Sequence, residues 1–115
     1  MNLQHDIKTE DSTVIFSLKG KITSELDYEE LERDVLTYLS KNYFRIIFNL
    51  ANLTHTNSSG ISFFMRTLTK SRIMGGDLVL TNVKGNVEKI FKLSKLDEVY
   101  IICEDQLEGI NYFKN

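Results

Sequence analysis

Apolar residues fall at two spacings along this chain, and the switches between them mark its elements. Residues 13–18 (Thr-Val-Ile-Phe-Ser-Leu) are β-branched and aromatic and predict a strand. Residues 4–9 mix polar and apolar positions and predict an edge strand. The short turn signal Asp11-Ser12 between the two predicts a hairpin. After residues 20–24 the spacing becomes helical: Tyr28, Leu31, Val35, Tyr38 and Leu39 share one face. Thr23 or Ser24 supplies the N-cap, and Ser24 with Asp27 three residues on resembles a capping box. Glu29, Glu30, Glu32 and Arg33 lie elsewhere around this helix and read most simply as a solvated face, with an acidic partner-docking site as the alternative.

Residues 44–49 form a nearly continuous apolar run, as in a central strand buried on both faces, and residues 50–56 read as the connection that follows. A second helix is predicted over Ser58–Ile73, ending at Gly75-Gly76. Residues 78–81 are the next strand. Asn86 is expected to cap a third helix with Val87, Ile90 and Phe91 inward. A last strand over 99–102 and a terminal helix over 104–113 follow, with Leu107, Ile110 and Phe113 able to dock on the core. The order β-β-α-β-α-β-α-β-α implies an α/β fold with a mixed, mostly parallel sheet packed by helices. Ligand and partner sites of such sheets favour loops at the carboxyl ends of strands, where residues 50–59 lie.

Composition adds exclusions. A length of 115 residues suits one domain, taken as residues 1–115, and 42% hydrophobic with 26% charged residues is ordinary for a soluble globular protein. A net charge of −2 gives no reason to expect a nucleic-acid partner. No apolar run approaches the roughly 20 residues that span a bilayer. The N-terminal residues lack the pattern of a signal peptide, and the single cysteine, Cys103, cannot form an internal disulfide. A cytoplasmic location is expected, and not that of an integral membrane protein.

An enzyme is not expected. Phosphate-loop and dinucleotide motifs are missing, as is metal-ligand spacing, so no cofactor and no metal are assigned. His55 precedes Ser58 by three residues, but no acid is placed to orient it as a base. Cys103, beside an apolar strand end, reads as a buried inert thiol.

The remaining chemistry concentrates at Asn57-Ser58-Ser59-Gly60. Asn and Ser are among the best N-caps, each typically contributing about 1 kcal/mol, so a purely structural role accounts for the stretch. A helical projection puts Ile61, Phe64, Met65 and Leu68 on the buried stripe. The opposite face carries Ser59, Ser62, Phe63, Arg66 and Lys70, and its aromatic and arginine residues are types that interfaces favour.

Asn57-Ser58-Ser59-Gly60-Ile61 resembles the Asp-Ser-Ser-Gly-Leu motif of STAS domains, specifically the bacterial anti-sigma factor antagonists. The Gly20 turn, the Phe48-Asn49-Leu50 strand end, residues 75–83 and the Val87, Ile90-Phe91, Leu96-Asp97 tail resemble the same family in the same order. The resemblance implies a non-enzymatic module with Ser58 as the phosphorylation site. In its unphosphorylated form it would bind an anti-sigma factor that is also a serine kinase, releasing a sigma factor. Phosphorylation would end the interaction and a serine phosphatase would restore it. Asn57, Ser58, Ser59, Gly60, Ile61, Phe63 and Arg66 are the expected partner-binding residues. The alternative is a STAS scaffold subunit of another regulatory or transport assembly, without a phospho-switch. The chain departs from the family pattern where Asn57, Thr23 and Asn49 stand in place of the usual Asp. Asn and Thr keep capping and turn roles, but no electrostatic role in kinase recognition or magnesium handling.

Overall fold

The computed structural model describes residues 2–114. Its strands are β1 (Leu3–Glu10), β2 (Thr13–Lys21), β3 (Arg45–His55), β4 (Asp77–Thr81) and β5 (Ile101–Cys103), and its helices are α1 (Glu25–Ser40), α2 (Ser58–Ile73), α3 (Gly85–Leu93) and α4 (Gln106–Lys114). The five strands form one sheet in sequence order; β1 is antiparallel to β2 and the remaining pairs are parallel. The mixed, mostly parallel α/β sheet and its element order agree with the sequence pattern.

Strand alternation divides the core. Ile15, Ile47 and Val79 lie side by side in the ladders and join Cys103 and Ile110 on the face covered by α4. Their neighbours Val14, Phe16, Ile46, Phe48, Leu78 and Leu80 point the other way. There they meet Tyr28, Leu31 and Val35 of α1, Phe63, Phe64 and Leu68 of α2, and Val87 and Phe91 of α3. Apart from Cys103, every one of these sheet residues is at most 1% exposed, which is why the sequence shows a continuous apolar run there rather than alternation.

Several boundaries move. β2 continues past residue 18 to Lys21, and β3 runs on through residues 50–55, expected as a connection. The two strands pair as a ribbon as far as Lys21 and His55, with register shifts on the way, beyond the last β3–β4 pair at Asn49 and Thr81. The connection before α2 therefore shrinks to Thr56-Asn57. α3 starts at Gly85 with Lys84 at its N-cap, so Asn86 lies inside the first turn and does not cap. A single 3-10 turn, Leu96–Glu98, holds Val99 and Tyr100 through their N–H bonds to Leu96, and β5 begins only at Ile101. In α4, Ile110 is buried and Phe113 packs against the core, but Leu107 is 66% exposed and does not dock.

Candidate functional site

The β2–α1 connection and the start of α2 meet at the end of the β2–β3 ribbon. In the first turn of α1, the Asp27 carboxylate accepts hydrogen bonds from Thr23 N (2.8 Å), Thr23 Oγ1 (2.9 Å) and Ser24 N (3.2 Å). This is the reach-back from the third helical residue expected of Ser24 and Asp27. The Thr23 backbone bond, above all, holds the Asp27 carboxyl below its ordinary pKa. A charged carboxylate is thus maintained beside Thr23.

Asn57 caps α2. Its Oδ1 accepts from Gly60 N at 3.0 Å, and its Nδ2 donates to the Thr23 carbonyl at 2.8 Å. One side chain satisfies a helix-start N–H and also ties the two connections together. Asn49 is used similarly: Oδ1 accepts from Ala51 N, and Nδ2 donates to Gln106 Oε1, both at 3.0 Å, which links β3 to α4. Asn57 and Asn49 therefore both use an amide N–H that a carboxylate lacks.

Ser58 is the first residue of α2 and is exposed. Ser59 is half-buried, with its Oγ 2.9 Å from the Tyr28 hydroxyl. Gly60 is buried: a Cβ there would run into Thr56 Oγ1 and Ile22. It is required for close packing and offers no side chain to a partner. Ile61 is half-buried at the rim of the core.

Phe63 corrects the helical projection. It is fully buried, not a surface contact. Its ring stacks on Tyr28 (4.7 Å between centroids, 8° between planes) and lies 5.8 Å from the Phe48 ring. The projection allowed α2 one covered stripe, but α2 packs on the sheet and against α1 together, so its apolar arc is wider. Thr67 and Ser71 widen it further. Both are buried, with hydroxyls returned to the helix's own carbonyls of Phe63 and Leu68.

Arg66 makes a two-pronged pair with Glu32 of α1, Nε to Oε2 and an Nη to Oε1, each 3.0 Å. Its guanidinium lies 5.8 Å from the centre of the Tyr28 ring. Hydrogen bonding to Glu32, above all, raises the Arg66 pKa further. Glu32 therefore has a partner within the chain, where the sequence suggested a solvated face or an acidic docking site. Sequence reasoning also missed Tyr28, counted simply as core, and Leu26, 70% exposed in the first turn of α1. An apolar residue off the buried stripe of α1 was the available signal for Leu26.

His55 does not engage Ser58. Its ring nitrogens lie 3.0 Å from Thr54 Oγ1 and 3.4 Å from Asn86 Nδ2. Cys103 is buried, and burial first, with Glu108 and Asp105 adding, pushes its thiol pKa up, away from nucleophilic use. Among the described residues no cluster of His, Cys, Asp or Glu could hold a metal, and no helix is long and apolar enough to cross a membrane.

The site thus consists of an exposed serine at a capped helix start, tied to a neighbouring helix start. The STAS domain model matches residues 4–108, nearly the whole chain. The chain belongs to the STAS domain family. One relative, the candidate anti-sigma factor antagonist BtrV of Bordetella bronchiseptica, is 24% identical over 104 residues, covering 90% of this chain and 89% of its own. The STAS fold is shared with an anti-sigma factor antagonist from Mycobacterium paratuberculosis (14% identity, TM-score 0.85, 98% of this chain and 95% of that one). It is also shared with the Bacillus anti-sigma factor antagonist SpoIIAA. Its unphosphorylated form superposes with TM-score 0.77 at 17% identity, over 97% of this chain and 99% of SpoIIAA. Its phosphorylated form gives 0.75 at 20% identity, over 96% and 99%.

Proposed function

We propose that this STAS protein is a cytoplasmic, non-enzymatic anti-sigma factor antagonist switched by phosphorylation of Ser58. Unphosphorylated, it binds an anti-sigma factor that is also a serine kinase, and a sigma factor is released. The kinase transfers phosphate to Ser58, and a serine phosphatase removes it. The carrying observation is the position of Ser58: exposed, first in α2, beside the Asn57 cap. A phosphoserine brings about −1.5 to −2 charges, which the helix start tolerates through its free N–H groups and dipole. The same charge inside a close interface must be desolvated and repels acidic groups of the partner. The switch then acts on the complex and spares the fold, in keeping with the similar superposition of this chain on SpoIIAA in its two forms.

The partner surface comprises Ser58, the rim residue Ile61, the exposed Leu26 and the Arg66–Glu32 pair, with Asn57 and Ser59 shaping it. Affinity capture from native cytoplasm, followed by mass analysis of Ser58, tests the proposal. A co-captured serine kinase together with phospho-Ser58 supports it. The structural use of the amides of Asn57 and Asn49 favours a second reading, a scaffold subunit with Ser58 as a helix-start residue only. Capture of a large assembly in which Ser58 never carries phosphate would establish that reading instead.

A further inference from the structure

Two adjacent hydroxyls open α2, and their surroundings differ. Ser58 is exposed and its hydroxyl makes no side-chain hydrogen bond among the described residues. Ser59 is half-buried and hydrogen-bonded to the Tyr28 hydroxyl at 2.9 Å. Tyr28 is itself held. It is 4% exposed, stacked on the fully buried Phe63, and overlain by the Arg66 guanidinium that Glu32 grips with two bonds. Moving the phenol away from Ser59 would disturb all of these contacts.

We propose that Tyr28 is a specificity-determining positioning residue: its hydroxyl withholds Ser59 from phosphorylation and leaves Ser58 as the sole acceptor. The proposal rests on the phospho-switch above. Phosphoryl transfer from a nucleoside triphosphate forms a bond between the serine oxygen and the γ-phosphorus. The bond from that phosphorus to the leaving diphosphate breaks, and the hydroxyl proton passes to a base of the kinase. The serine oxygen must approach the phosphorus in line, with its proton directed at that base. Ser58 Oγ can turn to do so. Ser59 Oγ is committed to Tyr28 and has only partial access. Helix ends also open from the terminal residue inward. Presenting Ser58 breaks no side-chain bond of its own among the described residues; presenting Ser59 needs the Tyr28 bond to break.

Tyr28→Phe keeps the stacking ring and removes only the hydroxyl. Wild type, Ser58→Ala and the double variant Ser58→Ala/Tyr28→Phe are expressed in the native cells, and phosphate on the peptide spanning the motif is assigned to one serine or the other by fragment mass analysis. The expected result is phosphate on Ser58 alone in wild type, none in Ser58→Ala, and at least tenfold more phosphate on Ser59 in the double variant than in Ser58→Ala. A double variant as unmodified as Ser58→Ala overturns the role of Tyr28. So does a Ser58→Ala protein that takes phosphate on Ser59 as readily as the double variant. Wild type without phosphate on either serine overturns the phospho-switch itself, and the selection with it. A second readout needs no kinase. In the Tyr28→Phe protein, NMR scalar couplings report rotamer averaging at Ser59 while core amide shifts stay in place, and an unchanged single Ser59 rotamer contradicts the proposal.

Discussion

The side-chain amide of Asn57 donates to the backbone carbonyl of Thr23 at 2.8 Å, joining the start of α2 to the entrance of α1 across 34 residues. An aspartate at position 57 caps a helix as well as asparagine does, but it cannot donate this bond and would set a carboxylate against the Thr23 oxygen. Asn57→Asp therefore loses a hydrogen bond worth about 1 kcal/mol, partly offset by about 0.3–1 kcal/mol from negative charge at a helix start. Chemical denaturation at pH 7 should show a net loss below about 1 kcal/mol relative to wild type. The gap should narrow as pH falls through the new carboxyl's pKa, because the protonated acid can donate again.

Asp27 gives the wild-type protein a pH dependence of its own. Bonds from Thr23 and Ser24 depress its folded pKa below the unfolded value of about 3.9. Its contribution to stability is complete above the unfolded pKa and is lost progressively as pH falls from there through the depressed folded pKa. Urea midpoints measured between pH 6 and pH 2 should fall over that acid window, and Asp27→Asn should flatten this part of the profile.

Phe63→Ala should cost about 3–5 kcal/mol, the usual loss when a buried phenylalanine is truncated. Its fully buried ring stacks with Tyr28 and packs against Phe48 and Phe64. Equilibrium unfolding measures this directly. Any loss of partner binding should follow the unfolded fraction, since Phe63 offers no exposed surface.

The Arg66–Glu32 pair should contribute far less to the fold. Its side chains are 43% and 25% exposed, so a double-mutant cycle with Arg66→Ala and Glu32→Ala should give a coupling of about 1 kcal/mol or less. The coupling should weaken as salt is raised.

What could be read from the sequence and what could not separate along a physical line. The limits of α2, the reach-back of Asp27 and the cap at Asn57 depend on neighbours within a few residues, and local pattern captures them. Contacts between distant segments carry no such pattern. Ser59 meets Tyr28 across 31 residues and Arg66 meets Glu32 across 34, and neither pair stands out in composition or spacing. Phe63 escapes a projection of one helix, which cannot register the second helix covering it. The end of β3 carries no strand pattern because Asn52, Thr54 and His55 are polar and exposed, yet its backbone stays extended by pairing with β2. The whole-chain resemblance identified the family because it used element order and spacing together, which no single stretch contains.

The proposed switch is charge placed on one hydroxyl. Titrating the captured kinase partner with wild-type protein and with the same protein phosphorylated at Ser58 is its most direct test. The phosphorylated form should bind at least about 100-fold more weakly, or by roughly 2.7 kcal/mol, with thermal unfolding of the free domain little changed. Equal affinity of the two forms would contradict it.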